Sequence, residues 1–189
     1  MRTHDQYSIG VAGPGASHAR ALDIHVLDQV QRWGWDEMLF VECGDGWVAE
    51  EAWRRRRTRG HVVAVDMSCG AIERARELRG VTGQVEFGTW NGYRLYQDDG
   101  KFDQIISRFA LQRSSDPAAL AREMLRVLRP QGELYALEPA SSADAVRQFL
   151  LMAGFSAVEV LPPCYDEATP GAGTDGATVF HAQVFVGDR

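Results

Sequence analysis

The sequence predicts an α/β protein built on a doubly wound sheet of seven strands. Three observations carry that expectation. Short apolar runs bounded by turn residues alternate with longer segments of helical periodicity, the pattern of repeated βαβ units. One unit is complete between Met38 and Asp66, MLFVECGDGWVAEEAWRRRRTRGHVVAVD. Its first strand runs into Gly44-Asp45-Gly46, whose glycines let backbone approach a ligand at a helix N-terminus. Asp66, about twenty positions on, is an acidic residue placed to hold ribose hydroxyls. The unit therefore reads as a nucleoside-cofactor site.

Taken in order, Met1 to Ala16 is polar and then glycine-rich, which predicts a mobile arm. Ser17 can cap a helix running to about Trp33. Leu22, Val26, Val30 and Trp33 recur on its buried face, Asp28 and Gln31 turn away, and Gly34 stops it. The helix of the first βαβ unit starts near Gly46 and ends in Arg54-Arg55-Arg56-Arg57 and Arg59. Cations in a last turn suit the helix dipole, so this run is expected in solvent. After the strand Val62 to Val65, Ser68 caps a helix through Ala71, Ile72, Ala75 and Leu78.

Gln84 to Phe87 reads as the third strand, followed by a loop with Trp90, Asn91, Gly92, Tyr93 and Tyr96. Phe102 to Ser107 is the fourth. Asp116-Pro117 supplies a cap and a first-turn proline for a helix through Leu120, Met124, Leu125 and Leu128. Pro130-Gln131-Gly132 breaks that helix before the fifth strand, Glu133 to Leu137. Ser142 opens a further helix to about Ala153, ended by Gly154. The last strands are Ala157 to Leu161 and Thr178 to Val186, separated by the Pro- and Gly-rich loop Pro162 to Ala177. With no repeat and no second composition regime, residues 1–189 read as one domain: arm 1–16, helix 17–33 and core 38–186.

At 189 residues the chain can bury a sizeable core. A net charge of −6 gives no overall attraction to phosphate backbones, so nucleic acid is not an expected partner. No apolar run approaches the ~18 residues that span a bilayer, and MRTHDQYSIG has no signal-peptide core, so the expected location is the cytoplasm. Cys43, Cys69 and Cys164 are scattered and form no CxxC or Cys/His cluster, which suits a reducing compartment and predicts no metal.

Four segments then resemble the class I S-adenosylmethionine-dependent methyltransferases, especially the small single-domain Rossmann-like type. They are LFVECGDGWVA, VVAVDMSCGAIERAREL, FDQIISRFALQRSSDPAALAREMLRVLRPQGELYALEP and AGFSAVEV. GDGWVA alone also satisfies the dinucleotide pattern GxGxxA, whereas the third segment is far more specific. The resemblance spans about Met38 to Phe185 and implies a mostly parallel sheet closed by an antiparallel C-terminal hairpin.

The resemblance also implies a site. Glu42 matches the family's acid, and Gly44 and Gly46 match two of its three glycines, with Val48 where the third is expected. The turn Glu42-Cys43-Gly44 through Gly46 would bring backbone against the methionine part of S-adenosylmethionine. Asp66 would accept from both ribose hydroxyls and Met67 would flank the adenine. Gly88, Thr89 and Trp90 stand where the family meets the adenine edge. Thr89 replaces a carboxylate but keeps a hydroxyl acceptor, Asn91 can supply the same bond, and Trp90 is placed to stack on adenine or crowd it. Ser107 and Arg108, ending the fourth strand, would lie beside the sulfonium and the substrate.

The implied reaction is in-line displacement of a methyl group from sulfur by a substrate O, N, C or S, with S-adenosylhomocysteine as product. Alignment is the protein's main task, and a general base is needed only where the nucleophile must lose a proton. His4, Tyr7 and His18 are the candidate bases, and none is marked out as catalytic; Gln112 and Arg113 stand where many relatives carry a histidine. The substrate mouth is expected at the carboxyl ends of the strands, near Trp90, Tyr93, Arg108, Gln112 and the loop bearing Tyr165, Asp166 and Glu167. No large insertion covers it, leaving the arm, a large substrate or a second subunit in a homodimer to close the site. Three readings stand: a methyltransferase acting on a small molecule, a degenerate relative serving as a binding or partner protein, and an NAD-dependent oxidoreductase. The last lacks a second catalytic domain and a Tyr-x-x-x-Lys pair.

Overall fold

The computed structural model describes residues 14–30, 36–56, 60–80, 84–161 and 177–183, with side chains of the first segment from Arg20 onward. Its seven strands are β1 (Glu37–Val41), β2 (His61–Asp66), β3 (Val85–Thr89), β4 (Phe102–Arg108), β5 (Leu128–Pro139), β6 (Ala157–Val160) and β7 (Ala177–Gln183). They form one sheet in the order β3-β2-β1-β4-β5-β7-β6. The first five are parallel, while β7 runs antiparallel to both β5 and β6. The doubly wound sheet with its closing hairpin is as expected. Strand order reverses at β1 and β4, so the loops leaving them diverge to opposite faces and open a crevice at their carboxyl ends.

Period-two alternation divides the sheet between two cores. Met38, Phe40, Val62 and Ala64 face α1 (Pro14–Gln29), α2 (Trp47–Arg55) and α3 (Cys69–Arg79). Leu39, Val41, Val63 and Val65 face the other layer, with α4 (Ala110–Arg113), α5 (Pro117–Val127) and α6 (Ala143–Ala153). Burial on both sides is the reason these strands read as unbroken apolar runs.

Local capping follows the side chains. Ser68 accepts from the Ala71 N–H at the start of α3, and Asp116 accepts from Ala119 with Pro117 in the first turn of α5. Gly154 ends α6 at a φ of 111°.

Several expectations need correction. α1 begins at Pro14, so Ser17 lies inside the helix instead of capping it; proline's fixed φ suits a first turn. The helix ends at Gln29, and residues 31–35 lie outside the described residues, as do the arm 1–13, the segments 162–176 and 184–189, Arg57 and Arg59. Ser142 carries no side-chain cap bond; its hydroxyl donates to the Pro139 carbonyl at 2.8 Å, inside the turn Ala140–Ser142. Pro130 and its neighbours break regularity inside β5, not before it. Leu128 pairs with Phe102, the register then jumps to Glu133 opposite Gln104, and Gln131 takes a φ of 66°. The segment is a bulge. Of the arginine run, Arg55 is not left in solvent: it pairs with Asp28 at 2.6 Å and Glu51 at 3.3 Å, tying α1 to α2.

Candidate active site

The turn between β1 and α2 is held by one carboxylate. Asp66 Oδ2 accepts the Gly44 N–H at 2.8 Å and its Oδ1 accepts the Ser68 N–H at 2.9 Å. Each oxygen keeps a lone pair for a further donor, such as a hydroxyl. The turn needs positive φ at Glu42 (63°), Gly44 (59°) and Gly46 (76°). At Gly46 a side chain is also sterically excluded, because a Cβ would meet the Phe87 ring at 2.5 Å and Ala75 at 3.0 Å. Close packing of α2 against β3 and α3 thus depends on that glycine. Val48, where a third glycine was expected, is fully buried in the core beneath α2. The extra bulk is taken up by packing below the turn.

Glu42 is the most constrained group. It has positive φ, is 2% exposed, accepts the Trp90 Nε1–H at 2.9 Å and pairs with Arg113 at 2.6 Å. Burial pushes its carboxyl above the usual range, and the neighbouring Asp66 charge adds to that push, against the pull of Arg113. Trp90 lies among Leu39, Val41, Val63 and Val65, with its N–H aimed inward at Glu42.

Arg108, ending β4, reaches over the same turn. Its Nη1 donates to the Glu42 carbonyl at 3.1 Å and sits 3.5 Å from where a Gly44 Cβ would be. Its Nε lies 2.5 Å from Asp23 Oδ1 on α1. Ser107 is fully buried, and its hydroxyl has no partner among the described residues. Cys43 is buried within the turn, and burial holds its thiol well above its ordinary value, so it is an inert neutral group there.

Beyond β3, Thr89 is exposed opposite Asp66 in the strand register. Asn91 is committed to its own loop: its Oδ1 accepts from the Tyr93 and Arg94 N–H groups, and its Nδ2 donates to the Tyr96 hydroxyl. Met67 packs onto Gly92, where a Cβ would lie 2.7 Å from its sulfur.

The fold therefore gathers Glu42, Cys43, Gly44, Gly46, Asp66, Met67, Ser107 and Arg108 at the carboxyl ends of β1, β2 and β4 with their following loops, and brings Thr89 and Trp90 beside them from the end of β3. Gln112 is exposed on α4, which the apolar pattern did not announce because it is four residues long. Tyr165, Asp166, Glu167, His4 and Tyr7 lie outside the described residues, as does the side chain of His18. Two residues had no local signal. Asp23 is one more acid on a surface helix until Arg108 is folded against it. Glu138 accepts the Leu111 and Gln112 N–H groups at 2.9 and 3.2 Å, and burial raises its carboxyl to about 7. Among the described residues no group of three or more His, Cys, Asp or Glu could hold a metal, and no helix is long and apolar enough to cross a membrane.

Residues 39–136, just over half of the chain, match the family model described as a methyltransferase domain. A ubiquinone/menaquinone biosynthesis C-methyltransferase, UbiE, of Idiomarina loihiensis is 31% identical over 112 residues, which is 58% of this chain and 45% of that protein. The chain thus spans less than half the length of that relative. A chain of the complex between the Haloferax volcanii Trm112 methyltransferase activator and a methyltransferase superposes with a TM-score of 0.75 at 17% identity, over 90% of this chain and 93% of the other. An S-adenosylmethionine-dependent methyltransferase from Mesorhizobium loti gives 0.71 at 18% identity, over 86% and 97% of the two chains.

Proposed function

Because the chain belongs to the class I S-adenosylmethionine-dependent methyltransferase family, we propose that it methylates a small-molecule acceptor using that cofactor. The observation that carries this reading is the Asp66 carboxylate. It is fixed by two backbone N–H groups at the end of β2, beside a turn whose glycines keep side chains away. The residues suit the cofactor's chemistry: acceptors for ribose hydroxyls at Asp66 and a hydroxyl acceptor at Thr89. S-adenosylmethionine supplies an activated methyl group on sulfur.

The chain's own residues orient rather than activate. The Gly44–Gly46 turn provides a flat backbone floor, and Asp66 fixes the nucleoside end so that the reactants meet at near-attack distance. Water is kept out from below by the buried Trp90–Glu42 bond. The acceptor approaches over the carboxyl ends of β4 and β5, where Arg108 and Gln112 stand, with the exposed Tyr93 and Tyr96 on the neighbouring loop. Those aromatics favour a flat acceptor.

A second reading rests on Glu42. Its carboxylate is already engaged by Trp90 and Arg113, which fits a degenerate relative that holds the cofactor weakly. Calorimetry with S-adenosylmethionine, S-adenosylhomocysteine and NAD separates these. Binding of the sulfur pair together with methyl transfer in a screen of small phenols, amines and acids supports the enzyme. Binding without transfer supports the degenerate relative, and tight binding of NAD alone overturns both.

A further inference from the structure

We propose that Glu138 is a positioning residue for the acceptor side of the site, holding α4 so that Gln112 stands at the mouth and Arg113 reaches Glu42. This rests on the methyltransferase reading and deepens it by naming the group that fixes the acceptor-facing segment.

α4 cannot hold itself. It has four residues, far below the ~12 at which a helix persists on its own. Phe109 before it takes a φ of 55°, a strained conformation for phenylalanine, and offers no side-chain acceptor to the first turn. The end of β5 supplies what is missing. The Leu137 carbonyl accepts the Phe109 N–H at 2.7 Å, and the two Glu138 carboxylate oxygens accept the Leu111 and Gln112 N–H groups at 2.9 and 3.2 Å. Two bonds from one rigid carboxylate fix the direction of the turn as well as its place. From there the chain reaches the site. Arg113 pairs with Glu42 at 2.6 Å, Ser114 donates its hydroxyl to the Gly92 carbonyl at 3.3 Å, and Gln112 is exposed.

Glu138 is fully buried, and no cation pairs with it among the described residues. On α4 and β4, Arg113 goes to Glu42, Arg108 to Asp23 and Asp103 to Arg129; on β7, His181 lies by Glu133. On α5 and α6, Glu123 pairs with Arg126, while Arg122, Asp144 and Arg147 are exposed. Thr178, opposite Glu138 on β7, donates its hydroxyl to the Leu161 carbonyl instead. Burial with two backbone donors and no counter-ion raises the carboxyl to about 7. Only the ionised form accepts freely on both oxygens; protonated, one of them becomes a donor facing an N–H. The hold on α4 is therefore full above about pH 7 and loosened below it.

The test compares the full chain with Glu138→Gln, which keeps the shape but turns an amide N–H₂ toward a backbone donor. Amide hydrogen exchange comes first. Protection of the Leu111 and Gln112 amides in the unaltered chain should rise by about 5-fold or more from pH 6 to pH 8, and stay low and flat in Glu138→Gln. Methyl transfer to a small phenol, amine or acid that turns over is then followed in both proteins. Glu138→Gln should raise KM for the acceptor several-fold at pH 8 while KM for S-adenosylmethionine stays within about 2-fold. The ratio of unaltered to variant kcat/KM for that one acceptor should increase from pH 6 to pH 8, a comparison in which the acceptor's own titration cancels. Glu138→Asp, which keeps the charge on a shorter arm, should fall between, and it carries the comparison if Glu138→Gln does not fold. Equal protection in the two proteins, a loss independent of pH, or a rise in both KM values together overturns the proposal. Binding of no S-adenosylhomocysteine by the unaltered chain overturns the methyltransferase reading instead, and amide protection then still decides whether Glu138 holds α4.

Discussion

Asp66 accepts the Gly44 N–H at 2.8 Å, so the carboxylate at the end of β2 also fixes the turn that follows β1. One group thus links two separate jobs, shaping the floor of the site and offering lone pairs above it. Asp66→Ala should weaken S-adenosylhomocysteine binding by about 10-fold or more and also cost about 1 kcal/mol of stability, because the Gly44 and Ser68 N–H groups lose their acceptor. Calorimetry and urea denaturation read the two effects separately. Unchanged affinity would move the ribose elsewhere.

Gly44 and Gly46 share positive φ but differ in surroundings. Gly46→Ala combines left-handed strain with a Cβ 2.5 Å from Phe87, and should destabilise by about 3 kcal/mol. Gly44→Ala meets only the Arg108 side chain at 3.5 Å and should cost about 1 kcal/mol. Equal losses in denaturation midpoint would contradict the steric difference.

Arg113 pairs with Glu42 yet is itself partly exposed. Arg113→Gln should release a carboxylate toward the cationic sulfonium, raising the affinity ratio of S-adenosylmethionine to S-adenosylhomocysteine by a few-fold at low salt. An unaltered ratio would mean that Glu42 does not face the sulfonium.

Glu138 has a carboxyl raised by burial to about 7. A raised acid favours the folded state while protonated, so its contribution is full below the ordinary carboxylate range and is lost as pH rises through about 7. Glu138→Gln does not titrate. Its Tm relative to the unaltered protein should therefore rise between pH 5 and pH 8, by a few degrees. Parallel Tm curves would show that the carboxyl titrates normally.

What could be read from the sequence was governed by local rules. β1 and β2 are buried on both faces and so are apolar runs, MLFV and VVAV, while β4 keeps an apolar centre, Ile105-Ile106, within FDQIIS; each announced itself. Ser68, Asp116 and Gly154 act on backbone groups within a few residues, which makes their roles visible in one dimension. The glycine turn and Asp66 were legible for the same reason. Proline at a helix start and proline in a bulge were not separable, because Pro14 and Pro130 suit more than one irregular geometry.

The chain alone therefore determined the α/β class, the order of the strands and longer helices, and the acid-and-glycine frame of the site. Only the tertiary structure decided which charges meet there: Asp23 on Arg108, Arg113 on Glu42 and the Trp90 indole on that same carboxylate. Those partners are separated by tens of residues, and their pairing depends on how two helices dock on opposite sides of β1 and β4. Propensity and periodicity describe one element at a time, whereas a buried ion pair exists only when desolvation brings two elements together.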